Sequence, residues 1–150
     1  MQDRSVHDNQ IIAYEVDGQR RRIILHTRYD SGSIREFTDV VFDGVHAYRF
    51  ENDNFGNIIL DIEEVSLAEL LDENAITFEH GEKFGWTGVW NTSREASLRH
   101  LESKGAKAFT MSSSFGMDGW VISESYRLEE MSQSPPSSMP LQPTAEKQGG

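Results

Sequence analysis

The chain has no cysteine, no proline before residue 135 and no long apolar run. Without cysteine there is no disulfide scaffold, no thiolate metal site and no thiol nucleophile, and the absence leans toward a reducing compartment. No apolar stretch approaches the roughly 18–20 residues that a membrane-spanning helix needs. The first residues, Met1 to Val6, lack the apolar core of a secretory signal. These absences predict a soluble, cytoplasmic protein with no membrane partner. Cationic side chains are also scarce, with 14 Lys and Arg against 25 Asp and Glu and a net charge of -11. Nucleic-acid binding depends on cations placed against phosphates, so no nucleic-acid partner is expected. Arg20-Arg21-Arg22 is the one basic cluster, and it reads as a solvated strand start after a turn.

What is present is acid, and it is unevenly placed. Between Glu36 and Glu82 stand thirteen acidic side chains and a single basic one, Arg49. A local excess of this kind steers basic partners inward and turns away phosphate and anionic lipid.

At 150 residues the chain has the size of one domain. All four prolines fall after Met131, in a stretch of Ser, Pro, Gln and Gly that offers little apolar surface to offset its ordering entropy. The expected organisation is a folded domain over 1–131 and a disordered tail over 132–150.

The front of the domain reads as strands. Ile11 to Val16 alternates, and Asp17-Gly18 is a hairpin turn signal. Ile23, Leu25, Thr27 and Tyr29 alternate with Arg22, Ile24, His26 and Arg28 before the turn residues Asp30 to Ser33. The longest strand pattern runs from Phe37 to Glu51. It places Val40 and Phe42 on one face, breaks at Asp43-Gly44, and resumes with His46, Tyr48 and Phe50 opposite Val45 and Ala47; a glycine at such a break predicts a bulge. Asn52 to Gly56 turns the chain, and Ile58, Leu60 and Ile62 begin a fourth strand. Ser66-x-x-Glu69 and Thr92-x-x-Glu95 are capping boxes, which predict a helix from about Leu67 to Glu73 and a second one stopped by Gly105. Residues 74–91 carry no clear period. Two further strands, Ala106 to Met111 and Gly119 to Leu128, close the domain. The fold class expected is α+β: an antiparallel β-meander of four strands, two short helices and a C-terminal strand pair.

The candidate binding residues are the carboxylates of the acidic block: Asp39, Asp43, Asp61, Glu63, Glu64, Glu69, Asp72 and Glu73. Those at the end of the fourth strand and on the following helix can converge, to cover a basic protein, to hold a hard cation, or to serve acid–base chemistry. No EF-hand spacing supports the cation reading. The five histidines, His7, His26, His46, His80 and His100, form no zinc-binding pair. His46 reads as a hydrogen-bonded core histidine, and His7-Asp8 as neighbours that point apart. Ser112 to Ser114 lacks the glycine frame of a nucleophile elbow. The tryptophans beside Gly85, Gly88 and Gly119 read as packing residues, with a stacking platform as the alternative. No catalytic residue, metal or cofactor is assigned.

Three segments carry a resemblance: Phe37–Phe50 (FTDVVFDGVHAYRF), Asn57–Glu64 (NIILDIEE) and Ser112–Ile122 (SSSFGMDGWVI). With the early His7-Asp8 they resemble small bacterial proteins similar to the immunity proteins of polymorphic toxin systems, over roughly residues 7–128. The resemblance implies a non-enzymatic protein that neutralises a basic partner, such as a toxin, by binding it through an acidic face. A small metal-dependent enzyme or ligand-binding domain using Asp61, Glu63 and Glu64 is the alternative. A third reading is a subunit of a larger assembly that uses the aromatic region 84–90 as an interface.

Overall fold

A computed structural model describes residues 5–82 and 93–131. The tail 132–150, the Gly/Trp-rich stretch 84–90 and Thr92 lie outside the described residues, and so do the expectations placed on them. The elements run β1 (Gln10–Asp17), β2 (Arg22–Ser31), β3 (Ile34–Glu51), β4 (Ile58–Val65), α1 (Leu67–Glu73), α2 (Ala75–Glu82), α3 (Arg94–Ser103), β5 (Lys107–Phe115) and β6 (Asp118–Met131). All strand pairs are antiparallel, and the six strands close into a barrel in the order β1-β2-β3-β6-β5-β4.

The expected meander holds for three strands and then fails. Strand β6 takes one edge of β3 from Phe37 to Glu51, and β2 takes the other as far as Asp43. The fourth strand does not pair with β3. It crosses instead by way of Asn52–Asn57, pairs with β5, and meets the start of β1 at Gln10↔Ile58. The C-terminal pair β5–β6 forms as a hairpin. Closure leaves few edges exposed, which is the general advantage of a barrel over an open sheet.

Alternation along the strands separates two cores. Ile23, Leu25, Val40, Phe42, Phe109, Met111 and Val121 point inward and fill the barrel, with the rings of Phe42, Phe109 and Tyr126 within 4.9 to 5.8 Å of one another. A six-stranded barrel is narrow enough for side chains to fill it, so its interior is a packed core. On the outer face of β5 and β6, Ala108, Trp120 and Ile122 join Ala47 of β3 beneath Leu70, Leu71, Phe78 and Leu101 of the helices. The small alanines let the helices approach the wall closely, and Phe78 packs on Trp120 at 5.4 Å.

The bulge in β3 falls just beyond the expected break. Gly44 has φ +65°, and the register against β6 shifts between Val45 and Ala47. Val45 thus enters the barrel core, while Ala47 joins the helix-facing cluster. They had been expected on one face; the extra residue, His46, separates them.

The first capping box forms on its serine side, with Ser66 accepting the amide of Glu69. The second is displaced by one residue: Ser93 caps α3 by accepting the amide of Ala96. Gly105, at φ +74°, follows the last turn and donates its amide to the Glu102 carbonyl. Helix α2 lies in the stretch that carried no period.

Candidate functional site

The acidic block does not fold into one face. Register explains why. The hairpin β2–β3 turns on Gly32-Ser33, with Ser31 opposite Ile34, and this places His26 opposite Asp39. On the neighbouring strand Glu15 pairs with Ile24, so its side chain lies diagonal to His26 on the outer face of the wall. The result is a three-residue chain. The two ring nitrogens of His26 lie 2.8 Å from Asp39 Oδ1 and 2.6 Å from Glu15 Oε2. His26 and Asp39 are 2% and 6% exposed. Asp39 is therefore a buried structural partner and belongs to no exposed binding face. A ring with acceptors at both nitrogens donates twice only as the imidazolium. Burial opposes that charge, but the hydrogen bonds to Glu15 and Asp39 outweigh it and raise the His26 pKa above its ordinary value.

Asp43 is likewise withdrawn from any free acidic surface. It sits between Arg22 Nε and Arg127 Nη1, each at 2.6 Å, and Arg127 also reaches Glu129 at 2.6 Å. The hydrogen bonds from Arg127 and Arg22 hold its carboxyl below the usual carboxylate range. Asp72 of α1 is paired with Arg94 of α3. The cations that neutralise these carboxylates, His26, Arg22, Arg127 and Arg94, all lie outside the linear block. The arginine triplet is thus partly structural, because Arg21 Nε also donates to the Val45 carbonyl at 3.0 Å.

What remains is a shorter strip. Asp61, Glu63 and Glu64 on β4 and Glu69 and Glu73 on α1 are exposed, and none of them takes part in an ion pair among the described residues. Asp61 and Glu63 stand on one face of β4, opposite Ser112 and Thr110 of β5. Protonated Glu63 donates a hydrogen bond to the neighbouring Asp61 carboxylate, and that bond, with the negative charge of Asp61, raises the Glu63 pKa above its ordinary value. Glu64 follows directly and points to the other face of the strand. The three carboxylates expected to converge therefore do not, and no group of three potential metal ligands occurs among the described residues.

Two of the other histidines, His46 and His7, have ordinary partners. His46 lies on the outer face beside the bulge rather than in the core, 2.8 Å from Glu124 Oε2. His7 Nδ1 contacts the Leu60 carbonyl at 2.6 Å, and its other nitrogen is 3.5 Å from Asp8. Ser113 sits in the β5–β6 hairpin, hydrogen-bonded to the Met117 carbonyl.

Two features escaped a residue-by-residue reading. One is the Glu15–His26–Asp39 chain, for which the signal was the two-residue turn combined with strand register. The other is a groove of about 610 Å³ beside β1, lined by Gln10, Ile12, Tyr14, Arg28, Asp53 and Phe55 among others. There Tyr14 donates its hydroxyl proton to Asp53 at 2.6 Å. That bond, together with burial, pushes the Tyr14 pKa up to about 12 and holds Asp53 below the usual carboxylate range.

In comparisons with protein-family models, curated proteins and solved structures, nothing matches the chain.

Proposed function

We propose that this is a non-enzymatic cytoplasmic binding protein that engages a basic protein partner, in the manner of the immunity proteins it resembles. The contact runs over the strip formed by Asp61 and Glu63 on one face of β4 and by Glu69 and Glu73 on α1, with Glu64 on the other face of the strand and outside it. The observation that carries this reading is the contrast between two sets of carboxylates. Asp39, Asp43 and Asp72 have cationic partners within the fold, whereas the strip has none among the described residues. Asp61 and Glu63 sit close enough to disfavour double ionisation, and an incoming lysine or arginine relieves that repulsion. Nucleic acid and anionic membrane are the partners this field turns away. No helix among the described residues is long and apolar enough to cross a membrane.

The test is a capture from source-cell lysate at low and high salt, with the native chain and with a variant carrying Asp61→Asn, Glu63→Gln and Glu69→Gln. The expected result is one basic protein retained by the native chain at low salt, released at high salt and absent with the variant. Association of the purified pair should then slow at least tenfold between about 0.01 and 0.15 M salt, as the Debye length shrinks from about 30 to 8 Å. A salt-insensitive on-rate, or equal capture by the variant, refutes the proposal.

A further inference from the structure

Strand β1 is one of the places where barrel closure is incomplete among the described residues. It pairs with β2 from Gln10 to Asp17, but with β4 only at Gln10↔Ile58. Hydrogen bonds from Ile11 N to Asn57 O and from Ile59 N to Asn9 O, at 2.8 and 2.9 Å, complete the seam at that end. From Ile12 onward β1 has no strand on its second edge among the described residues. In a strand paired on one side, every second residue directs its N–H and C=O toward the empty side.

The loop Asn52–Gly56 stands beside this edge without pairing to it, and the groove of about 610 Å³ lies between them. Its walls are braced. Tyr14 reaches Asp53 at 2.6 Å, and Asn57 donates to the other oxygen of Asp53 at 2.9 Å. A braced groove takes an occupant without first having to order itself. The edge has one device that discourages pairing, a bulge between Ile11 and Ala13, and is otherwise unprotected from Ala13 onward. Gln10 to Val16 contains no lysine and no proline, and its single charge, Glu15, is drawn to His26 on the outer face. Phe55, fully exposed at 102%, lies on the opposite wall of the groove.

Charge selects the occupant. The lining carries one cation, Arg28, and one anion, Asp53, and Asp30 beside Arg28 is shared with Arg35 at 3.0 Å. The sign is therefore set by the molecule as a whole, and a second copy would bring a net charge of -11 against an equal charge. A partner segment with cationic side chains fits that overall field and can face Asp53.

We propose that this seam is a second binding site, which takes an extended basic segment of a partner protein as an added strand on β1. Main-chain hydrogen bonds to the free edge supply the attachment, Phe55 covers the segment, and a lysine or arginine faces Asp53. Strand addition of this kind draws affinity from the backbone and selectivity from alternate side chains. The site is separate from the β4–α1 strip, and either assignment can fail without the other.

The test is an amide NMR titration of the full chain with a capped hexapeptide of alternating valine and lysine. Two control peptides are used: the same sequence N-methylated at alternate residues, and one with glutamate in place of lysine. Saturable shifts at Ile12–Val16 and Asn54–Asn57 are expected, with slowed exchange of β1 amides. N-methylation should weaken binding at least tenfold, because it deletes main-chain donors, and the glutamate peptide should not bind. Phe55→Ala, at a position too exposed to affect folding, should weaken the valine–lysine peptide several-fold. Three results overturn the proposal. One is equal binding of the N-methylated peptide, with shifts confined to the β4–α1 strip, which would be charge attraction alone. Another is concentration-dependent broadening at Ile12–Val16 without peptide, which would make a second copy the occupant. The last is no shift at millimolar peptide.

Discussion

At the scale of single residues, the most consequential group is His26, an imidazole buried between two carboxylates. Its folded pKa is raised, so its stabilising contribution is complete below the unfolded value of about 6.5 and is lost as pH rises through the folded value. Thermal melts across pH 6 to 9 should show the native chain losing stability toward the alkaline side, and His26→Gln should flatten that dependence. Identical slopes would mean that His26 carries no extra proton in the fold. Removing the ring altogether leaves Asp39 buried and uncompensated. His26→Ala should therefore cost roughly 3 kcal/mol by urea denaturation. Asp43 works in the opposite direction. Its carboxyl is held low by Arg127 and Arg22, so its contribution is present above the ordinary carboxylate range and is lost on acidification. It is partly exposed, and screening keeps that contribution small. The partnership of His26 with Asp39 was legible in principle. The turn at Gly32-Ser33 places residues 26 and 39 opposite one another. Counting charge along the chain concealed it, because the neutralising cations lie in other segments.

At the scale of elements, local signals fared well wherever the deciding interaction is local. Ser66 caps α1 and Gly105 ends α3, because each satisfies backbone groups within one turn of itself. The cap of α3 moved from Thr92 to Ser93, a shift of one position between two residues with the same chemistry. Ser66→Ala and Ser93→Ala should each cost about 1 kcal/mol, read from urea midpoints. A larger effect at either site would mean that the helix docking on Trp120 and Ala108 is lost along with the cap. Helix α2 had no legible period because it is held by tertiary contact, with Phe78 buried against Trp120. Asn57 is a comparable case among the loops. It accepts the amides of Asn54 and Met117, at 3.1 and 2.9 Å, and so joins two turns sixty residues apart. Gly116 beside it has φ +93°, and a Cβ there would lie 2.1 Å from Asn57 Oδ1. Asn57→Ala strands the buried Met117 amide and should cost about 1–3 kcal/mol in the same denaturation assay.

At the scale of the whole molecule, the barrel is unevenly fastened. Strand β3 carries thirteen register partners on β6, whereas β1 and β4 share one. Native-state hydrogen exchange should follow that difference. The amides of Ile11 and Ile59 at the seam should exchange faster than those of Val41 and Phe42, because opening the seam unfolds less of the chain. Equal protection would show that the barrel opens only as a unit. The seam is also where the proposed strand-adding groove lies, so low local protection and binding belong to the same edge.

What the sequence by itself determined are the properties that depend on neighbours in the chain: strand periodicity, turn positions, the Ser66 cap, the absence of thiol chemistry and the sign of the net charge. The tertiary structure decided which strands share an edge, and with them which charges meet. Pairing β3 with β6 brought Arg127 to Asp43, β4 joined β5 in place of β3, and the β2–β3 hairpin buried Asp39 against His26. The reason is physical. Strand pairing joins residues distant in sequence through backbone hydrogen bonds that no side-chain pattern specifies, and an electrostatic surface is defined by distance in space, not by position along the chain.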